Sequence, residues 1–417
     1  MMSVWLIGGL IETIRDVLKA DTFYKTMIKY SFLLIALFLA ACSSKEKYQV
    51  PEEFQHLKNL SVYSADTQPG KTISFKKEAV FGDTEDVLFA NMEDIVVDSL
   101  GRVFIADRLE KVIQVFEPNG RYLTHIGREG RGPGEFDNIR KLQIIGDNLY
   151  VFDPAQFRVN IFSLGSFSSK ETIMLARNRS KYPELGAAFP WIHELHVRDN
   201  GSFLAEFISN KSEAAKEWGT NETEVAIYLL DRSGNIVGEK LIDFKEDTRV
   251  NYKGLSVPVS SFYGSTLTIL EGAGRFFIAE PENFLIKVYN MDGTYSYSFY
   301  YPKAKISLNQ ESAQRYDSTG LFIRNMKNID ELPETWPVLT DMKIDNQNRL
   351  WIATTIEDMK VYEWWVLEET GELITKFEWP RDQPIQEIKN GYLYSKKTDE
   401  ETGAKFVVKY RIELTEK

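Results

Sequence analysis

One cysteine, Cys42, occurs in 417 residues, and that scarcity closes off several kinds of chemistry at once. No intrachain disulfide and no cysteine-built metal cluster can form, so stability has to come from packing. Histidine is scarce too, at four. His56 lies in a polar stretch near the N-terminus and His125 in an outer strand. His193 and His196 are three apart, which puts them on opposite faces of a strand and argues against a shared zinc. No G-x-S-x-G, H-E-x-x-H or full G-x-x-x-x-G-K-[ST] motif and no cysteine nucleophile is present, so signals for catalysis are thin. Positive charge is in deficit: 50 Lys and Arg stand against 61 Asp and Glu, a net charge of −11. Such a chain, with no basic stripe, repels phosphate backbones, which argues against nucleic acid as a partner. Long apolar runs are also missing. The run from Phe32 to Ala41 falls short of the about 20 residues needed to span a bilayer.

That short run carries a different signal. Residues 27–44 begin with Met27 and Lys29, continue through the apolar run and end in Leu39-Ala40-Ala41-Cys42-Ser43-Ser44. The pattern resembles a bacterial lipoprotein signal, with Leu39, Ala40 and Ala41 before the cut and Cys42 as the lipidated N-terminus. The alternative is a short membrane anchor with an incidental cysteine. Arg15, Asp16, Lys19, Asp21 and Lys25 precede this otherwise complete signal and suit a leader poorly. Residues 1–26 therefore read as an upstream extension; the alternative is a second membrane contact over Val4 to Ile11. The expected organisation is extension 1–26, signal peptide 27–41, lipidated cysteine and polar tether 42–56, and folded domain 57–417. Without residues 1–41, 46 basic and 58 acidic side chains remain. The 14 tether residues after Cys42 reach at most about 46 to 50 Å. Ser43 and Ser44 lack the aspartate that favours inner-membrane retention in some bacteria, so a lipid-anchored place in the cell envelope, at the outer membrane, is expected.

The remainder repeats. Ile95 to Asp98, a turn to Gly101, Val103 to Asp107 and Ile113 to Phe116 read as strand, turn, strand, loop, strand, followed by a turn at Gly120. Related segments start their second strands at Val103, Leu149, Phe203, Phe276, Leu350 and Tyr392, at spacings of 42 to 74 residues. Six units with room for four antiparallel strands each predict an all-β, six-bladed β-propeller, whose radial closure removes open sheet edges. An open solenoid or two sandwiches are the alternatives, and the uneven spacing favours blades. The last unit lacks an outer strand. Lys71 to Phe81 is expected to supply it and close the ring.

The signatures Val103-Phe-Ile-Ala-Asp107, Val115-Phe-Glu-Pro-Asn-Gly120 and Gly127-Arg-Glu-Gly-Arg-Gly-Pro-Gly-Glu-Phe136 are similar to those of NHL-repeat six-bladed propeller lipoproteins of Bacteroidetes. The resemblance covers roughly residues 57 to 414 and implies the fold. The carboxylate ending the second strand is kept at Asp153, is replaced by Glu206 and Glu280 in two copies, and is lost in the fifth and sixth.

Short turns such as Asp98 to Gly101 fall on one face, here called the bottom. Longer insertions, about 176–191, 209–224, 243–266 and 301–340, fall on the top, where function concentrates in such loops. The expected binding surface comprises Asp107, Arg108, Arg128, Arg131, Asp153, Arg158, Glu206 and Glu280, with Trp191, Trp218, Tyr263 and Trp336. Each also has a structural reading: carboxylates cap turns, and aromatics pack insertions. The glycine-rich segment is not followed by a helix, so it does not read as a phosphate loop. A non-enzymatic binder of a protein, glycan or small molecule, acting as a monomer, is the first expectation. No cofactor is evident. The second is a metal-assisted hydrolase or lyase in the central channel, because related propellers include metal-dependent lyases and lactonases. Asp153, Glu206 and Glu280 could then offer oxygens to Ca2+.

Overall fold

In two blades the second strand is buried along its whole length, because it has protein on every side. Val103–Asp107 is buried at all five positions and Leu350–Thr355 at all six. Strands one and three flank it in the sheet, and neighbouring blades cover both faces. The computed structural model describes residues 50–82, 87–175, 191–210, 220–252, 255–258, 264–269, 274–309 and 333–417. The chain divides into Met1–Gln55 and His56–Lys417. Within the first unit the described residues hold one 3-10 turn, Glu52–Phe54. No helix among the described residues is long and apolar enough to cross a membrane.

The second unit is a six-bladed β-propeller. Two strands precede the repeats, β1 (Leu60–Val62) and β2 (Lys71–Phe81). Blade I holds β3 (Met92–Val97), β4 (Val103–Asp107), β5 (Val112–Phe116) and β6 (Tyr122–Ile126). Blade II holds β7 (Lys141–Ile145), β8 (Asn148–Asp153), β9 (Arg158–Ser163) and β10 (Ser169–Met174). Blade III has a fifth strand: β11 (Trp191–Val197), β12 (Phe203–Asn210), β13 (Thr220–Leu230), β14 (Ile242–Tyr252) and β15 (Leu255–Pro258). Blade IV holds β16 (Leu267–Ile269), β17 (Arg275–Ala279), β18 (Leu285–Asn290) and β19 (Tyr295–Tyr300). Blade V holds β20 (Leu339–Ile344), β21 (Leu350–Thr355), β22 (Val361–Leu367) and β23 (Leu373–Pro380). Blade VI is built from β24 (Ile385–Lys389), β25 (Tyr392–Thr398) and β26 (Lys405–Glu416), with β2 as its outer strand.

The closure expected from the sequence is present. β2 pairs antiparallel with β26 from Lys71 opposite Glu416 to Phe81 opposite Val407, joining the two ends of the domain in one sheet. A second N-terminal pairing had no counterpart in the sequence reading. β1 adds a parallel edge to blade IV, Leu60 opposite Ser298 and Val62 opposite Tyr300. A three-residue strand is too short to show periodicity.

The core is six wedges, one in each seam between blades. Between blades I and II, Phe104, Ala106 and Val115 meet Phe136, Leu142 and Val151. Between V and VI, Trp351, Trp364 and Trp379 meet Ile385, Ile388 and Leu393. Each Phe, Leu, Ile or Val among them contributes about 1.5–3 kcal/mol when fully buried. Bottom turns hold the wedges in register. In blade I, Asp98 Oδ1 accepts the amides of Leu100 (2.9 Å) and Arg102 (2.8 Å), and Oδ2 accepts Arg102 Nε at 2.7 Å. Asp345 does the same for Gln347 and Arg349 in blade V and also accepts the indole Nε1 of Trp351 at 2.9 Å. In the other kind of bottom turn, Gly120 has φ +94° and lies so close to the preceding blade that a Cβ would sit 2.2 Å from the Val80 carbonyl oxygen.

Blade III departs from the others. β13 and β14 run eleven residues each, against five for β5 and β6. They stay paired from Ile227 opposite Ile242 upward to Thr220 opposite Val250. About six residue pairs therefore rise beyond the top rim, roughly 20 Å of sheet. Insertions expected as loops over 209–224 and 243–266 are in part this raised sheet, because the extra residues continue the ladder and so satisfy their own backbone groups.

Candidate functional site

The expected top-surface carboxylates divide by what their oxygens hold. Asp107 is fully buried. It accepts amides of Ala90 (2.7 Å) and Asn91 (3.0 Å) from the incoming crossover, and of Leu109 (3.1 Å) and Glu110 (3.3 Å) in the following turn. Asp153 repeats this in blade II, accepting from Asp137 (3.0 Å), Asn138 (3.2 Å) and Gln156 (3.2 Å). Both take the turn-capping role, not a solvent-facing one. Burial pushes the Asp153 carboxyl up, against the opposing pull of those amides and of Arg158.

Arg158 is buried as well, and its guanidinium bonds the carbonyls of Arg131 (3.0 Å), Gly132 (3.1 Å) and Glu135. It pins the glycine-rich loop from beneath, so it does not line a surface. Glu135 folds back under the same loop, with Gly132 N on Oε2 at 2.7 Å and Arg128 Nε on Oε1 at 2.9 Å. Arg128 and Arg131 are exposed on that loop, and Arg108 is partly exposed beside Glu93 at 3.4 Å. Glu280 is exposed and paired with Lys287 at 2.7 Å.

Trp336 corrects an expectation. It is 2% exposed, and its backbone amide bonds the Ile306 carbonyl at 2.8 Å; it packs the insertion and is not offered to a ligand. Trp191 opens β11. Trp218 and Tyr263 lie outside the described residues, as do Leu39, Ala40, Ala41 and Cys42.

Glu206 also needs a new alignment. Asp107, Asp153 and Glu280 each stand four residues after Val103, Leu149 and Phe276, but Glu206 stands three after Phe203. One residue in a strand exchanges faces. Phe203 and Phe207 pack toward blade II while Leu204 packs toward blade IV, so Glu206 turns to blade IV, where Thr268 donates to it at 3.3 Å. His196 Nε2 stands 3.7 Å from the same carboxylate. Burial alone would raise Glu206; the bond and charge of His196, with His193 and Thr268, outweigh it and hold the carboxyl below its usual range.

The strict alternation assumed for His193 and His196 is broken by a β-bulge between Ile192 and Glu194. Both histidines act on Glu206. Arg140 reaches across from blade II, with Nε on Glu194 Oε1 at 3.0 Å and Nη2 against His193 Nε2 at 2.7 Å.

These groups belong to a ring around the axis that the sequence reading missed. Successive innermost strands touch, β3 to β7 to β11 and β16 to β20 to β24 to β3. On each, the residue before a buried or half-buried Ile, Leu or Met is half-buried and polar: Asp94, Lys141, Glu194, Thr266, Asp341 and Glu387. Reading that one position down the repeats would have found them. The throat is also cross-braced. Asp94 Oδ2 accepts Leu142 N at 2.7 Å, and the Gln143 amide both donates to and accepts from Val197 backbone at 2.7 Å. Burial, with the Glu194 charge, pushes Asp94 up against Lys141 and that amide. Among the described residues, no group of three or more His, Cys, Asp and Glu side chains could hold a metal ion.

The chain thus forms a six-bladed β-propeller with a charged, braced throat and one raised blade. A family model described as a six-bladed β-propeller matches residues 83–190. No curated protein matches the chain. Among solved structures, a Bacteroides fragilis protein described as exported is similar at 12% identity over 85% of this chain and 99% of its own, with TM-score 0.46. A Bacteroides vulgatus protein is similar at 10% identity over 84% and 100%, with TM-score 0.49. Virginiamycin B lyase from Staphylococcus aureus is similar at 12% over 81% and 99%, with TM-score 0.39. At these identities the likeness concerns the fold alone.

Proposed function

We propose that this protein is exported, held at the cell envelope by a lipid on Cys42, and binds a protein, glycan or small molecule through its top face. One observation carries the binding assignment: β13 and β14 lift a sheet about 20 Å above the rim of the other blades. A raised edge of that kind offers backbone groups to a partner. The throat favours binding over turnover, because Asp94, Gln143, Arg140 and Glu206 are engaged in bracing one blade against the next.

The test replaces residues 209–224 with a short Gly-Asn turn and compares binding to glycan and peptide arrays with the unaltered protein. Loss of the bound species with an unchanged melting temperature supports the assignment; full retention refutes it. A channel hydrolase or lyase is the second reading, and the 3.7 Å His196–Glu206 pair is the observation behind it. Stoichiometric Ca2+ uptake in calorimetry that disappears in Glu206→Gln would favour that reading.

A further inference from the structure

Blade VI carries a cation at a repeat position where most blades are apolar. Each second strand has a first residue that packs toward the preceding blade: Val103, Leu149, Phe203, Phe276, Leu350 and, in blade VI, Leu393. The third residue after it faces the following blade. It is Ala106, Phe152, Ala279 and Ala353 in blades I, II, IV and V. Blade III puts Glu206 there and blade VI puts Lys396, so the two charged copies differ in sign. Glu206 meets Thr268 and His196. Lys396 meets main chain, its Nζ donating to the Met92 carbonyl of blade I at 3.2 Å.

Lys405 faces the same way, because its strand partner Thr398 stands two residues beyond Lys396, and its Nζ reaches the Ala90 carbonyl at 3.5 Å. Arg108 joins them from blade I, with its amide on the Asn91 carbonyl at 2.9 Å and its guanidinium 3.4 Å from Glu93. Among the described residues, no carboxylate lies within ion-pair distance of Lys396 or Lys405. An ammonium has three N–H donors, and each of these lysines spends one on a carbonyl. Burial pushes the Lys396 amine down and the Lys405 charge adds to that, while Glu93 opposes them. Asp399 in the neighbouring hairpin gives no relief, since its Oδ1 already accepts the amides of Glu401 and Thr402 and the Thr402 hydroxyl. Glu400 and Glu401 beside it are exposed, where water and salt screen them. Two large apolar side chains border the cations. Leu88, two residues before Ala90, is 70% exposed, and Leu109, next to Arg108, is 64% exposed. Asp107 draws the two stretches together by accepting the amides of both Ala90 and Leu109.

We infer that the top of the seam between blades VI and I binds a carboxylate that carries an apolar group, with Lys396 and Lys405 on its oxygens and Leu88 and Leu109 against its apolar part. Charge-assisted N–H donors suit a carboxylate, and the exposed leucines give a purely inorganic anion nothing to contact. The protein as a whole is acidic and repels anions at long range, so these short-range donors have to do the holding. The inference deepens the top-face reading above and rests on it, but it uses the seam across the ring from the one where Glu206 sits.

Calorimetric titration with N-acetyl-Leu-Leu, its C-terminal amide and octanoate tests the site. The free peptide acid should bind about ten-fold more tightly than the amide, and Lys396→Met and Lys405→Gln should each remove about that factor. The Lys405 bond is the longer and more exposed of the two, so that variant keeps the test open if Lys396→Met does not fold. Glu93→Gln removes the one carboxylate paired within the cluster and should tighten binding several-fold, a gain that lysines with only a structural role would not produce. Bound acid should also slow acetylation of Lys396 relative to the other lysines in mass-spectrometric footprinting. Whichever of the peptide acid and octanoate binds more tightly names the source of the carboxylate. Equal binding of acid and amide, no binding at millimolar concentration, or unchanged affinity in both lysine variants overturns the inference. Inorganic phosphate binding as tightly as the peptide acid overturns the part given to the leucines. Replacing residues 209–224 should leave these affinities unchanged, so the raised sheet can fail as a binding surface while this site holds, and the reverse.

Discussion

Blades I and II differ from blade III in what a carboxylate at the end of the second strand does. Asp107 and Asp153 look back along the chain, collecting amides of the crossover that has just entered their own blade. Glu206 looks forward, to Thr268 in the next blade, and sits beside His196. The residues are chemically alike. One position in the strand, and so one face of the sheet, separates a carboxylate that makes a blade from one that joins two. Blades I and II are built to the minimal pattern, whereas blade III moves the carboxylate and extends its outer strands. The raised sheet and the histidines thus occur together in one blade.

Asp107→Ala should widen the contrast most. It leaves amides of Ala90 and Asn91 without their buried acceptor, at about 1–3 kcal/mol each, so a loss of about 3–5 kcal/mol is expected in denaturant unfolding. Asp107→Asn, which keeps an acceptor, should recover part of it. Glu206→Gln should cost less, about 1–2 kcal/mol near neutral pH. Its carboxyl titrates below the usual range, so its contribution is present above the unfolded-state pKa and fades as pH falls through the folded one. The wild-type advantage over Glu206→Gln should therefore shrink on acidification. An advantage independent of pH from 7 to 3 would show that its charge plays no part.

Asp94→Asn should give the smallest effect, with the opposite sign. Asp94 is pushed up by burial, so its favourable contribution is complete below the unfolded-state pKa and is lost as pH rises through the folded value. The amide of Asn still offers an oxygen to Leu142 N. At pH 8 the variant should equal or slightly exceed the wild type, by up to about 1 kcal/mol, and fall back toward it at pH 4. Marked destabilisation at pH 8 would mean that the charge itself braces blades I and II.

The ring and its closing strand were legible because alternation, Asp and Gly turns and the missing outer strand are local signals. Glu206 was misaligned because its alternation is correct but displaced by one, which matching residue types does not detect. The bulge at His193 likewise leaves no mark in spacing. β1 was invisible because pairing with β19, over 230 residues later, is decided by tertiary contacts of Tyr63, Tyr295 and Asn59. The throat was overlooked for a different reason. Asp94, Glu194, Asp341 and Glu387 occupy one repeat position, but attention to strand ends passed over strand beginnings.

Pairing Lys71 with Glu416 has a consequence in time. A chain made from its N-terminus produces β2 among the first strands of the propeller and its partner β26 last. Until residues 405–416 emerge, blade VI lacks its third strand and β2 has no ladder to join. Blades I to V can assemble as they appear, but the ring stays open at one seam for the whole of synthesis. A stop codon near residue 404 would remove only a few per cent of the mass, and it would leave both ends of the circle exposed as sheet edges.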